Sequence, residues 1–391
     1  MNFDQNVPHI IKYMGSKRQI LDFIVEGISD CYTGGTICDL FAGSSVLSGA
    51  LRNEATILSN DIQKFSSVLA NMYLSDYDWG LFPNLLEEIV LEATNYVEQF
   101  KELYPMFSFD YDIPLSLKEF NHLEMQQQNL INQDFSKVKY HLFVKNYSGT
   151  YWSFNQCLWI DAFRFVADKY LYTPIFYIIL SSLMFAMSYN SQSTGHYAQY
   201  RDATSQSSMD DIAIYRKKSI LPFFIKKFKE LQSFLGKNKL GHSIVSMDFS
   251  DCLDIIKPNS IIYADPPYCF VHYSRFYHAL ETLIRYDYPK IMFKGRYRSD
   301  RHQSPFCIKT KVENAFKLMF SKINDKNSNL VLSYSNTGMI SLETLLDIAN
   351  KYLNDNYNIE VLYQEHQHST MGRKNDKSRN VQESLLMAKR K

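Results

Sequence analysis

The sequence predicts a doubly wound α/β domain that is interrupted by a large, mainly helical insertion. Short apolar strands alternate with helices near each end of the chain, and a long segment without β alternation separates the two stretches. The chain has 391 residues, which is enough for about two domains. We expect a discontinuous α/β domain at 1–75 and 240–391, with the insertion at 76–239.

The first α/β stretch opens with apolar residues at helical spacing over 18–30. Buried strands are predicted at 36–40 and 56–59. A helix is predicted after each strand, over 46–51 and as far as Leu74. This order of strand, helix, strand and helix is typical of the start of a doubly wound sheet.

The middle segment has a different character from about residue 75. Residues 77–170 are polar, aromatic and helix-leaning, whereas 171–190 predicts a buried helix that could pack on the α/β core. A polar loop is predicted over 191–211, and an amphipathic basic helix over 216–236.

The α/β pattern returns at Ser243. Strands are predicted at 244–249, 260–264 and 330–334. A closing hairpin is predicted from two further strands, at 360–363 and 384–387, on either side of the polar residues 366–381.

Composition and charge restrict the possible functions. The net charge is +1, so any nucleic-acid contact must come from local basic patches. The six cysteines form no C-x-x-C pair, which disfavours a zinc ribbon and suits a reducing compartment. The longest apolar run, 175–187, is too short for a membrane span, and no secretory signal is predicted. We therefore expect a cytoplasmic protein with no membrane partner.

The most informative motif is Asp265-Pro266-Pro267-Tyr268, which follows an apolar strand. Prolines lack backbone donors, so carbonyl groups there can accept hydrogen bonds from a ligand. An exocyclic amino group could donate to Asp265 and to the Pro266 carbonyl, while Tyr268 stacks on the base. The alternative interpretation is a strand-ending turn with a surface Asp and Tyr.

Three other segments are weaker signals of cofactor or anion binding. Gly43 lies in the turn after the first strand, where a ligand can approach the backbone. Asp61 ends the second strand, where an acidic side chain often holds ribose hydroxyls. The segment 12–18 contains a Gly–Ser–Lys turn before a helix and could bind an anion. Taken singly, each could be an ordinary surface feature.

In combination and in this order, the motifs resemble the Dam-type (alpha-group) N6-adenine-specific DNA methyltransferases. The segments that carry the resemblance are KYMGSKR at 12–18, CDLFAGSS at 38–45, SND at 59–61 and YADPPY at 263–268. The resemblance implies a Rossmann-like fold that depends on S-adenosylmethionine. It also implies that the cofactor motifs come first, a target-recognition insertion follows, and the catalytic motif comes last.

The resemblance further implies roles for individual residues. The target adenine would be held by Asp265, Pro266, Pro267 and Tyr268. The cofactor would be bound by Tyr13, Lys17, Asp39, Phe41, Ala42, Gly43, Asp61, Asp248, Phe249 and Asp265. Two departures from the family pattern are Met247, where Gly is frequent, and Ser44-Ser45 in place of Gly-x-Gly. The product would be S-adenosylhomocysteine, and no metal is expected because the methyl donor is already activated.

Basic clusters are the candidate DNA contacts. One lies in a predicted surface loop and one in the closing hairpin, and their candidate residues are Arg296, Arg298, Arg301, His302, Arg373 and Lys374. A third basic cluster lies within 216–229. Each could instead be a solvated face of the protein.

The sequence thus predicts methyl transfer to N6 of an adenine that is flipped out of double-stranded DNA. A restriction–modification or phage-defence system of a prokaryote or phage is the expected context, with a cognate restriction endonuclease as a candidate partner. The same chemistry on RNA, or a non-catalytic DNA-binding protein with a degenerate methyltransferase fold, is the alternative. Cytosine N4 methylation is disfavoured, because that reaction conventionally has Ser in the position of Asp265.

Overall fold

Nine strands are present in the described part of the computed structural model, which covers residues 1–193, 196–267, 270, 272–369 and 378–391, with 365–369 and 378–381 as backbone only. They are β1 (Thr36–Asp39), β2 (Thr56–Asn60), β3 (Ser243–Val245), β4 (Ile261–Ala264), β5 (Ile291–Met292), β6 (Tyr297–Arg298), β7 (Asn329–Ser335), β8 (Tyr357–Ser369) and β9 (Ser378–Arg390).

The helices connect the strands and build the insertion. They are α1 (Leu21–Cys31), α2 (Val46–Leu51), α3 (Lys64–Leu74), α4 (Leu85–Leu103), α5 (Leu117–Gln128), α6 (Leu142–Tyr147), α7 (Phe154–Asp168), α8 (Pro174–Asn190), α9 (Gln206–Arg216), α10 (Ile220–Phe234), α11 (Phe249–Ile255), α12 (Tyr273–Phe276), α13 (His278–Arg285), α14 (Val312–Asp325) and α15 (Leu342–Leu353). Among the described residues, none of them has both the length and the apolar character that crossing a bilayer requires.

The main sheet has the strand order β3-β2-β1-β4-β7-β9-β8. Strands β3, β2, β1, β4 and β7 run parallel to their neighbours, because helical crossovers return the chain to the same end each time. Strands β9 and β8 form an antiparallel hairpin at the β7 edge. The predicted α/β fold class is confirmed.

The sheet is covered on both faces, as alternate side chains of its central strand show. Ile261 and Tyr263 of β4 belong to a core that includes the helices of the insertion. Ile262 and Ala264 belong to a second core that includes α11, α14 and α15. Because the first core runs from the sheet through α8 into the insertion, the two predicted domains share buried side chains. The boundaries near residues 75 and 240 stay a prediction.

Some element boundaries differ from those predicted. The strand predicted at 244–249 ends at Val245, because Asp248 accepts a hydrogen bond from Ser250 N and starts α11. The loop predicted over 191–211 gives way to α9, where a capping box of Ser205 and Ser208 begins the helix. The basic helix predicted from residue 216 starts at Ile220 instead.

A buried ion pair joins helices α5 and α9 of the insertion. Arg216 is bidentate with Glu124, at 2.9 and 2.5 Å, and also donates to the Thr150 carbonyl at 2.7 Å. The adjacent Gly149 has φ +67°, and a Cβ there would lie 2.5 Å from the Glu124 carbonyl oxygen. Only glycine therefore fits this position without strain.

We expect Gly149→Ala to lower the free energy of unfolding by at least about 2 kcal/mol, because both the left-handed backbone and the Glu124 carbonyl oppose a methyl group. Urea unfolding followed by circular dichroism measures the change. Gly236→Ala is the matched control, since nothing lies within 4 Å of a Cβ there and its φ is not in the left-handed region. Equal stability of the two variants would contradict this account of Gly149.

Candidate active site

The carboxyl ends of β1, β2 and β4 open into a cleft of about 1090 Å³, part of which is open solvent. Such an edge of a parallel sheet is the usual ligand site of doubly wound folds. The cleft is lined by each described residue predicted to be catalytic or cofactor-binding, namely Tyr13, Lys17, Asp39, Phe41, Ala42, Gly43, Asp61, Asp248, Phe249, Asp265, Pro266 and Pro267. Tyr268, the fourth residue of the predicted catalytic motif, lies outside the described residues.

The turn after β1 brings backbone close to the ligand space. Gly43 has φ +53°, and a Cβ on it would lie 2.9 Å from the ring and hydroxyl of Tyr13. Tyr13 in turn stacks on Tyr277, with ring centroids 4.9 Å apart, and on Tyr273 at 5.5 Å. The Tyr277 hydroxyl accepts from Met14 N at 2.7 Å and so holds the N-terminal segment against the cleft. A bare backbone and an aromatic ring thus form one wall.

Asp61 organises the turn from the neighbouring strand. Its two carboxylate oxygens accept hydrogen bonds from Gly43 N and Gln63 N, each at 2.9 Å. The preceding Asn60 is buried, donates to the Leu40 carbonyl at 3.1 Å and accepts from Met247 N at 3.2 Å. Asn60 therefore joins the ends of three strands, a role that the sequence analysis did not assign to it.

Three carboxylates face the same small volume. Burial, followed by the charges of Asp61 and Asp265, raises the pKa of Asp39 to about 7 against a hydrogen bond from Ser48. Burial also raises the pKa of Asp61, against its two backbone hydrogen bonds. The cleft is therefore an environment in which a bound cation is favoured.

Asp265 is held from two sides of the chain. Lys17 Nζ lies 3.2 Å from an Asp265 oxygen and 3.1 Å from an oxygen of Glu383 on β9. Lys17 and Glu383 are buried. Burial raises the pKa of Asp265 to about 6, Lys17 opposes the rise, and the Glu383 charge adds to it. The Nζ expected to touch the cofactor thus forms an ion pair with the carboxylate that is predicted to be catalytic.

Glu383 was not predicted as part of the site. It lies in the strand predicted as one half of the closing hairpin, and the register of β9 places it opposite Ser335. An acidic residue close to the apolar run 385–388 is the only hint in the sequence. Its partner Lys17 is more than 300 positions away, so no local pattern could have paired them.

Aromatic rings close the other end of the cleft. Phe41 stacks on Phe249 at 6.0 Å and meets Phe306 edge-on at 5.5 Å. Asp248 lines the cleft beside them. Phe306 is fully buried and was not predicted to contribute to the site.

The predicted DNA contacts have different fates. Arg296 donates to the backbone carbonyls of Asn146 and Gln128, and Arg298 is buried in ion pairs with Asp287 and Asp300. These two guanidinium groups bind the protein itself, so the surface loop predicted for them is corrected to the short hairpin β5–β6, which they anchor.

The remaining predicted DNA contacts are of two kinds. Arg301 and His302 are half-buried, and His302 lines the cleft. Arg373 and Lys374 lie outside the described residues. Within the described part of the chain, no group of three or more His, Cys, Asp or Glu side chains could hold a metal ion, and the expectation that no metal is used stays a prediction.

We expect Lys17→Met to lower the free energy of unfolding by about 3–5 kcal/mol at pH 8, because it leaves the Asp265 and Glu383 carboxylates buried without their counter-ion. The Asp265 pKa lies above its unfolded value, so this carboxyl destabilises the fold as pH rises through about 6. The loss should therefore shrink at pH 5, where the protonated carboxyl needs no cation. Urea unfolding at both pH values tests this.

Lys257→Met, at an exposed lysine on the other end of β4, is the control and should change stability by less than about 0.5 kcal/mol. A loss for Lys17→Met that is the same at both pH values would show that the charge pairing is not its cause.

Comparison with known proteins identifies the family of this chain. The sequence model of the D12 class N6 adenine-specific DNA methyltransferases matches residues 13–348. The modification methylase LlaI of Lactococcus lactis subsp. lactis is 24% identical over 355 residues, covering 88% of this chain and 49% of the relative. The modification methylase StsI of Streptococcus sanguinis is also 24% identical, over 88% of this chain and 46% of the relative.

The chain spans about half the length of these two relatives. A third relative, the type II methyltransferase M.NlaIII of Neisseria lactamica, is 21% identical over 88% of both chains. The family match covers the cofactor turns, the insertion and the Asp265 motif, and it confirms the family that the motifs predict. The chain belongs to the D12 class of N6 adenine-specific DNA methyltransferases.

Proposed function

We propose that this chain transfers a methyl group from S-adenosylmethionine to N6 of an adenine that is flipped out of duplex DNA. The observation that carries the proposal is Asp265, which directly follows β4, precedes Pro266 and Pro267, and shares one cleft with the Gly43 turn and Asp61. A hydrogen-bond acceptor for an amino group, Asp265, and candidate contacts for a nucleoside, the Gly43 turn and Asp61, thus line one cleft.

The cleft suits S-adenosylmethionine, which carries positive charge on its sulfur and its amino group. Asp61 and Asp265 supply negative charge there, and Asp39 does so in part, because its pKa of about 7 leaves it half ionised at neutral pH. Each Asp61 oxygen accepts one backbone hydrogen bond and keeps a further lone pair, so it can also accept from a ribose hydroxyl. When bound, the sulfonium supplies an already activated methyl group. The residues of this chain provide binding and orientation.

Asp265 is the acceptor for one N6–H of the target adenine, and the Pro266 carbonyl is the acceptor for the other. The neighbouring Pro267 carbonyl already accepts a hydrogen bond from Cys307 Sγ at 3.6 Å. Two acceptors on N6 direct its lone pair toward the methyl donor, and this positioning is the main catalytic contribution. With a pKa of about 6, Asp265 is mostly ionised at neutral pH and is able to accept.

The biological setting is also part of the proposal. The relatives are named as modification methylases. We infer that this chain, too, modifies cytoplasmic DNA for a restriction–modification or phage-defence system, alongside a cognate endonuclease. The recognised DNA sequence is expected to be read by the insertion.

Asp265→Asn should reduce methyl transfer from labelled S-adenosylmethionine to unmethylated genomic DNA by at least about 100-fold, since the amide presents N–H groups where an acceptor is required. Sequencing that detects modified bases would then locate N6-methyladenine in one sequence context for the wild type. The Kd for S-adenosylmethionine, from calorimetry, should rise by less than about tenfold, because one carboxylate of the cleft is lost while Asp39 and Asp61 remain.

Asp347→Asn, at an exposed position of α15, is the matched control and should retain full activity. An Asp265→Asn variant with more than a tenth of wild-type activity would exclude Asp265 as the acceptor. Transfer to RNA but not to DNA would favour the RNA alternative. No binding of S-adenosylmethionine at all would favour the non-catalytic protein with a degenerate fold.

Asp61→Asn should weaken binding of S-adenosylmethionine by roughly 10–100-fold, because a hydrogen bond to a charged group contributes about 1.5–3 kcal/mol. The loss has two sources, the ribose contact and the hold on Gly43 N. Calorimetry measures the Kd, with Asp347→Asn again as control. An unchanged Kd would remove Asp61 from the cofactor site.

A further inference from the structure

Two arginines meet at one tyrosine ring on the rim of the cleft. Arg275 Nε donates to the Tyr297 hydroxyl at 3.1 Å, and its guanidinium carbon lies 5.5 Å from the centroid of that ring. The guanidinium carbon of Arg301 lies 5.2 Å from the same centroid. Tyr297 is buried and donates to the Ala198 carbonyl, so the ring is a fixed support for both cations.

Three neighbouring cations pair with carboxylates, whereas Arg275 and Arg301 pair with none among the described side chains. Arg285 and Arg298 pair with Asp300, and Lys294 pairs with Asp202. Within the part of the chain whose side chains are described, neither Arg275 nor Arg301 pairs with a carboxylate. Burial and the like charge of Arg275 lower the pKa of Arg301. Two unneutralised cations held together cost free energy that a bound anion would recover.

Two buried nitrogen atoms near this pair also lack a hydrogen-bond partner among the described residues. Arg301 Nη1 and His272 Nδ1 are enclosed by protein and have no hydrogen-bond partner among the described residues. His272 and His302 both line the cleft that contains Asp265, and Ser274 Oγ fastens the two segments by donating to the His302 carbonyl at 2.5 Å. Burial lowers the pKa of His302 at this rim, and the charge of Asp248 opposes that shift.

We propose that Arg275 and Arg301 bind a backbone phosphate of the DNA strand next to the flipped adenine. The inference rests on the proposed function and deepens it. A guanidinium matches a phosphate oxygen pair in shape and charge. A base that enters the cleft leaves its flanking phosphates at the mouth, where this pair lies. The contact positions the strand and carries no sequence information.

The test is the salt dependence of binding to a fluorescently labelled duplex, for the wild type, Arg275→Gln, Arg301→Gln and the double variant. Because the two arginines share one phosphate, the slope of log K against log salt should fall by about 0.9 in the double variant, and by part of that amount in each single variant. Arg275→Lys keeps the charge and should keep the slope. Lys257→Gln is the control, since this exposed lysine lies away from the cleft.

An unchanged slope in Arg275→Gln would overturn the proposal, and this variant decides the outcome even if the half-buried Arg301→Gln fails to fold. A weaker Kd for S-adenosylmethionine with an unchanged DNA slope would overturn it too, because the anion would then be the cofactor carboxylate. Failure of the proposed function would appear separately, as a wild type that binds duplex DNA with the expected slope but transfers no methyl group.

Discussion

The bond of Lys17 to Asp265 and Glu383 is the constraint that the site depends on. A buried carboxylate needs a cation, and the cation comes from a segment before the first strand. The second carboxylate comes from β9. This strand belongs to the hairpin β8–β9 and runs antiparallel to its neighbour β7. Asp265 is therefore held in place by segments that lie more than 300 positions apart, so its position depends on the complete sheet.

The same network sets the electrostatics of the cleft. One lysine faces Asp265 and Glu383, while Asp39 and Asp61 lie nearby and raise the cost of further negative charge. The excess of carboxylates favours a bound cation, which suits the cationic methyl donor proposed above.

Much of this arrangement could be predicted, and the exceptions share a cause. Strand periodicity located β1, β2 and β4, and parallel pairing then gathers Gly43 and Asp61 at one edge without further information. Glu383 and Asn60 could not be assigned, because their partners are distant in sequence and their roles exist only in the folded state. Arg298 was predicted to lie in a surface loop, because several arginines cluster in its segment. It is instead buried, since Asp287 and Asp300 neutralise its charge.

The arginines that follow the Asp265 motif divide into two groups, according to whether carboxylate or carbonyl groups of the protein satisfy their guanidinium groups. Arg296 and Arg298 have protein acceptors and fasten the hairpin β5–β6, which gives Tyr297 a fixed position. Tyr297 in turn supports Arg275 and Arg301, which pair with no carboxylate among the described side chains. In a chain of net charge +1, anion binding must come from such local exceptions to pairing. The internally bonded arginines are thus what keeps the unpaired ones at the mouth of the cleft.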